Sequence, residues 1–172
     1  GTVKDGLVSL KTLGDDVCLV TVIPRHGQDH RHTMVPVEGL GLRRGALAST
    51  IAHDSHNLIV AGQQPSDMLH AVHVLEKCGG GITVVEDKKV IAKLELPLAG
   101  LMSLKTTSEV AEEMKIVNQA ARGVGISKHF HSPALALSGL TLTVKPKVSI
   151  SDLGGLLDVE TQEFIPVFPS GE

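Results

Sequence analysis

The chain has 172 residues, 42% of them apolar and 20% charged, with a formal net charge of −3 at pH 7. That length suits one domain with a core that needs no staples, and it is too short for a (β/α)8 barrel, which takes about 250 residues. The negative charge argues against a binder of phosphate backbones, and three Phe with no Tyr or Trp leave no aromatic platform for stacking single strands.

Residues 17–23 (Val-Cys-Leu-Val-Thr-Val-Ile) are apolar and β-branched, which predicts a strand buried on both faces. Pro24 ends it. Residues 24–45 hold three His, two Pro and several Gly, and read as irregular. Residues 46–53 predict a strand of small residues, 54–57 a polar break, and 58–61 another strand. Pro65 fits a first helical turn, and Met68, Val72 and Leu75 recur at helical spacing, so a helix is expected over 65–78. Gly79-Gly80-Gly81 ends it. Residues 82–85 and 90–96 predict a hairpin around Glu86 to Lys89.

Thr106 with Glu109 forms a capping box. Val110, Met114, Val117, Ala121 and Val124 make one stripe, which predicts a helix over 107–122 stopped by Gly123 and Gly125. Residues 126–172 read as short strands and turns, with Leu-Thr-Leu-Thr-Val at 140–144 the clearest strand. The expected fold is a single α+β domain: aliphatic sheet with two principal helices. No apolar run approaches 18 residues, so no membrane span is expected. Cys18 and Cys78 lie sixty residues apart without a Cys-x-x-Cys, which reads as two reduced buried thiols and a cytoplasmic protein.

The nine His are clustered. His26, His30 and His32 share one loop, His70 and His73 the first helix, and His129 and His131 flank Phe130. Each pair is open to two readings, solvated histidines or part of a metal site, since His-x-His alone is a weak signal. No four-ligand Cys/His set has structural-zinc spacing, so no structural metal is expected. His53-Asp54-Ser55-His56-Asn57 is the densest polar run and lies between two apolar strands. Asp54 and Asn57 capping backbone donors would explain a turn, but a turn does not require two imidazoles, and each buried polar group needs a partner. Gly79-Gly80-Gly81 follows a helix, whereas a phosphate loop precedes one. Gly39-x-Gly41 lacks the spacing of a dinucleotide fingerprint, and the His-x-Glu with Pro-Cys-x-x-Cys signature of the zinc deaminases is absent.

Four segments come in a recognisable order: Arg25-His26-Gly27, then Gly39 to Ala46 (GLGLRRGA), Ala52 to Asn57 (AHDSHN), and Leu96 to Ser103 (LPLAGLMS). With Leu157-Asp158-Val159-Glu160 and Phe164 to Phe168 near the end, the chain resembles the C-terminal domain of bacterial adenine deaminases over about residues 17–168. The resemblance implies hydrolysis of adenine to hypoxanthine and ammonia, by an amidohydrolase whose metal centre, manganese or iron, lies in a (β/α)8 barrel absent from these residues. It implies His53, Asp54 and His56 as catalytic residues, and Arg25, His26, Ser55 and Asn57 as substrate-binding ones. No metal ligand is assigned within this chain, and no cofactor. Its implied partners are adenine or a related aminopurine, the catalytic barrel, and further copies in a homo-oligomer, without nucleic acid or membrane. The chain alone is expected to be inactive. The alternative is a non-catalytic interaction or oligomerisation module, and a free-standing metal hydrolase built on the His clusters is the third reading.

Overall fold

The structure, a computed structural model, describes residues 3–4, 7–8, 14–26, 32–53, 55–142 and 147–167. A short ladder of β1 (Val3–Lys4) and β2 (Leu7–Val8) precedes the main sheet. That sheet has six antiparallel strands: β3 (Val17–Ile23), β4 (Thr33–Glu38), β5 (Ala46–Ser49), β6 (Leu58–Gly62), β7 (Gly81–Glu86) and β8 (Lys89–Glu95). Their spatial order is β4-β3-β6-β5-β7-β8. Helix α1 (Pro65–Lys77) follows β6, and α2 (Thr107–Gly123) and α3 (Pro133–Ser138) follow β8. The chain ends in a three-stranded sheet of β9 (Val148–Ser151), β10 (Gly155–Asp158) and β11 (Phe164–Ile165).

Strand alternation divides the core in two. Ala46, Ala48, Leu58, Val60 and Val85 pack under Met68, Ala71 and Leu75 of α1. On the opposite face Val20, Val22, Leu47, Ile59, Ala61, Ile82 and Val84 meet Val117 and Ala121 of α2, Leu137 of α3 and Ile150 of β9. The central strands are therefore covered on both faces, which is why their sequences are continuous apolar runs rather than alternating ones. Each buried Leu or Ile contributes roughly 1.5–3 kcal/mol. The small residues of β5 and β6 let α1 approach closely: a Cβ added to Gly62 would fall on the Met68 side chain.

The β7–β8 hairpin turns through Asp87 (φ +51°) and Lys88 (φ +58°), the geometry of a two-residue type I′ turn. The buried Asp67 carboxylate on α1 accepts the Asp87 and Lys88 N–H groups at 3.2 and 2.8 Å, locking the hairpin to the helix. The Thr106–Glu109 capping box forms as expected. Among the described residues no helix is long and apolar enough to cross a membrane.

The α+β class and both principal helices agree with the sequence, and four local expectations do not. Residues 24–45 are not irregular throughout, because β4 runs through Pro36. Among the described residues it is an edge strand paired with β3 alone, where a missing N–H is tolerated. The strand expected over 46–53 stops at Ser49, whose Oγ accepts the Ile51 N–H and bends the chain. The strand expected over 140–144 is turn and irregular chain through Leu142, its remainder lying outside the described residues. Before it, Ser132-Pro133 opens the helix α3, where the sequence predicts only short strands and turns.

Both cysteines are free thiols. Cys18 is buried in β3, and its pKa is pushed up to about 12, first by burial and then by the charge of Asp16. Cys78 is only half-buried beyond α1. At pH 8 a soluble thiol reagent should therefore modify Cys78 and spare Cys18 until the protein unfolds. Mass spectrometry of timed labelling reads this directly, and equal labelling rates for the two would contradict it.

Candidate functional site

Three registers bring distant segments together at one end of the main sheet. Ile23 pairs with Leu58, Ser49 with Ile82, and Gly81 with Glu95. The exit of β3 (Pro24, Arg25), the β5–β6 connection (50–57) and the loop after β8 (96–102) thus become neighbours.

Arg25 joins them. Its Nε donates to the His56 carbonyl at 2.9 Å and its Nη2 to the Ala99 carbonyl at 2.7 Å. Its backbone N–H donates to Asn57 Oδ1 at 3.2 Å. The half-buried guanidinium has its pKa lowered by desolvation. Both carbonyls it holds belong to non-glycine residues in the left-handed region, His56 at φ +50° and Ala99 at φ +57°. Such a conformation costs about 1–2 kcal/mol per residue and persists only where neighbours enforce it. Gly100 (φ +73°) leaves space for the guanidinium, on which any Cβ there would fall. Thr50 Oγ1 reinforces the junction, donating to the Gly100 carbonyl at 2.6 Å and accepting the Gly81 N–H at 2.8 Å.

The β5–β6 connection is tight, its His56 N–H donating to the Ala52 carbonyl at 2.6 Å. The His53 and His56 rings lie 5.7 Å apart, edge to face. His53 is exposed, and its carbonyl accepts the Thr141 hydroxyl at 3.1 Å. His56 is half-buried, with Nδ1 out of solvent and without a hydrogen-bond partner among the described residues. Ser55 is exposed. Asn57 is 3% exposed, and its Nδ2 donates to Ser55 Oγ at 2.9 Å and to Asp152 Oδ2 at 2.6 Å. Asp54 lies outside the described residues. His26 follows Arg25 on the surface, at the edge of the undescribed 27–31 segment.

The structure thus brings Arg25, His53, Ser55, His56 and Asn57 into one cluster, with His26 at its edge. Of the other described histidines it brings in only His73, which shares a cavity wall with Arg25. His70 and His73 lie on α1, His129 and His131 between α2 and α3, and His32 just before β4, while His30 lies outside the described residues. Among the described residues no three His, Cys, Asp or Glu side chains stand close enough to hold a metal ion. On the α1 side, Arg25 and Thr50 help line a cavity of about 430 Å³, with Ile23, Leu58, Val72 and His73 among its walls.

Chemically, the cluster offers two imidazoles at a rim, one with a buried free nitrogen, on a turn held by a cation. Imidazole is the side chain best suited to proton transfer near neutral pH. Two members escaped the sequence reading. Thr50 carried one signal, a polar residue inside an apolar run. Asp152, 95 residues from Asn57, carried none, because only the folding of the β9–β10 turn onto this end of the sheet brings it there.

A family model described as the adenine deaminase C-terminal domain matches residues 1–163. Adenine deaminase 2 of Carboxydothermus hydrogenoformans is 43% identical over 152 residues, covering 88% of this chain and 26% of that protein. The adenine deaminase of Nitratidesulfovibrio vulgaris is 43% identical over 157 residues, 91% of this chain and 27% of its own. That of Clostridium acetobutylicum is 44% identical over 147 residues, 85% and 25% respectively. The chain spans about a quarter of the length of these relatives.

Proposed function

Because the chain belongs to the adenine deaminase C-terminal domain family, we propose that it acts as the C-terminal part of an adenine-deaminase-type hydrolase, which converts adenine and water to hypoxanthine and ammonia. The observation that carries this reading is the convergence of Arg25-His26, Ala52 to Asn57 and Leu96 to Met102 at one end of the sheet, held by the Arg25 guanidinium. Asn57 and Arg25 brace the turn, while the exposed His53 and Ser55 are left facing outward. In this reading the turn faces the catalytic barrel, where the active site of such folds opens. His53, Asp54 and His56 manage a proton, since purine deamination needs one on the ring and one on the leaving ammonia. Ser55, with Asn57, Arg25 and His26 behind it, positions the edge of the base. The manganese or iron of such an enzyme is held outside this chain. The assembly is a cytoplasmic homo-oligomer.

A second reading, an interaction module, has its own support. Leu98, Met102 and Leu104 are 42%, 60% and 76% exposed in and just beyond the loop after β8, an apolar surface suited to a neighbouring domain. The deciding test is ammonia release from adenine in the presence of manganese. The 172-residue chain alone is expected to release none, and a full-length enzyme carrying it to turn over. Robust metal-dependent turnover by the chain alone would overturn the proposal.

A further inference from the structure

We propose that Asp152, on the turn between β9 and β10, is a positioning residue for the polar turn at 52–57. Its carboxylate fixes the Asn57 amide, and through that amide the main chain that carries His53, Ser55 and His56. The inference rests on the catalytic reading of that turn and adds to it a residue of the small C-terminal sheet. Asn57 is the centre of the arrangement. It is buried, so its amide relies on protein partners. Nδ2 uses both of its hydrogens, on Ser55 Oγ at 2.9 Å and on Asp152 Oδ2 at 2.6 Å, while Oδ1 accepts the Arg25 N–H at 3.2 Å.

Two of those partners decide which way the amide faces. A carboxylate only accepts and a main-chain N–H only donates, whereas the Ser55 hydroxyl serves either orientation. Asp152 and the Arg25 main chain therefore hold opposite ends of one amide, and that amide ties the exit of β3 to the entry of β6. The bond to Asp152 is the charge-assisted one, the stronger kind. Without it a buried donor loses its partner. Asp152 is itself held in place. The buried Thr33, at the start of β4, donates its hydroxyl to the Ser151 carbonyl and accepts the Gly155 N–H at 2.9 Å, so it grips the turn on both sides of Asp152. Thr33 pairs with Val22, which sets the carboxylate beside the exit of β3. From the segment before β9, the Thr141 hydroxyl reaches the His53 carbonyl at 3.1 Å, a second hold on the same polar turn.

The test pairs two readouts. In the 172-residue chain, Asp152→Ala should speed amide hydrogen exchange across residues 52–57 about tenfold or more, with exchange in β5 and β6 unchanged. Asp152 lies in a turn outside the β9–β10 ladder, so its truncation leaves that ladder intact. In a full-length enzyme carrying the chain, the same variant should lower kcat for adenine about tenfold or more while KM holds, the effect of a displaced group. Asp152→Asn keeps an oxygen that can accept from Asn57 and should restore most of both. Exchange is read without substrate, so it judges the positioning claim even where no deamination occurs, whereas turnover by the wild-type enzyme judges the deaminase reading. Unchanged exchange of the polar turn in Asp152→Ala would overturn the proposal. So would faster exchange with kcat intact in an enzyme whose wild type turns over, the mark of a contact that only braces the fold.

Discussion

Replacing His56 by Gly in a full-length enzyme of this family lowers kcat/KM for adenine by about 10²-fold or more, while the melting temperature stays level or rises. The loss is the usual scale for a positioned acid or base. The stability result follows from the backbone. His56 sits at φ +50°, which glycine adopts freely, so the exchange removes about 1 kcal/mol of strain. It also removes a buried Nδ1 that nothing described satisfies. If the imidazole acts on substrate, activity falls while melting holds; if the turn is only structural, the specific activity of the folded enzyme does not change. His53→Ala and Asp54→Ala are expected to fall on the same activity scale. Steady-state kinetics beside thermal melts decide the matter: lower melting with unchanged specific activity of the folded enzyme would leave the turn no catalytic part.

Arg25→Ala is expected to cost both stability and activity. The side chain makes two charge-assisted hydrogen bonds to carbonyls, and losing them costs about 2–3 kcal/mol in all. Both carbonyls belong to strained residues, so without the guanidinium the turns at His56 and Ala99 are free to relax. A displacement of about 1 Å in a positioned group costs about 10²-fold in rate, and the loss should appear mainly in kcat. Arg25→Lys retains the charge but not the fork that spans two acceptors, so it should recover little. Wild-type melting and kinetics in both variants would show that the two loops hold their shape unaided.

Much of this architecture was legible because the central strands and long helices announce themselves locally. β3 is one unbroken run of mostly β-branched strand formers, and α2 carries a cap, a stripe and a glycine stop. What stayed hidden depends on distance along the chain. β4 was obscured by Pro36, whose tolerance is a property of the sheet edge and not of the segment. α3 is six residues long, too short for periodicity to speak, although its Ser-Pro start was a usable sign. The polar turn at 52–57 was visible, yet what holds it was not. Arg25 lies 31 residues from His56 and 74 from Ala99, and only the strand order makes those three neighbours.

Among the described residues the same strand order leaves β4 and β8 as the rims of the main sheet. Neither invites another chain to pair with it. Along β8 the residues Lys89, Ile91 and Lys93 point outward, so a strand laid beside it would meet lysine charge. β4 lacks a donor at Pro36 and touches β9 and β10 of the smaller sheet. Lysine and proline at rims are how natural sheets avoid ribbon-like growth. Self-assembly of this protein must then proceed through faces and loops rather than by extending the sheet. Crowded or partly unfolded samples should form amorphous precipitate more readily than fibres seeded from the native edge.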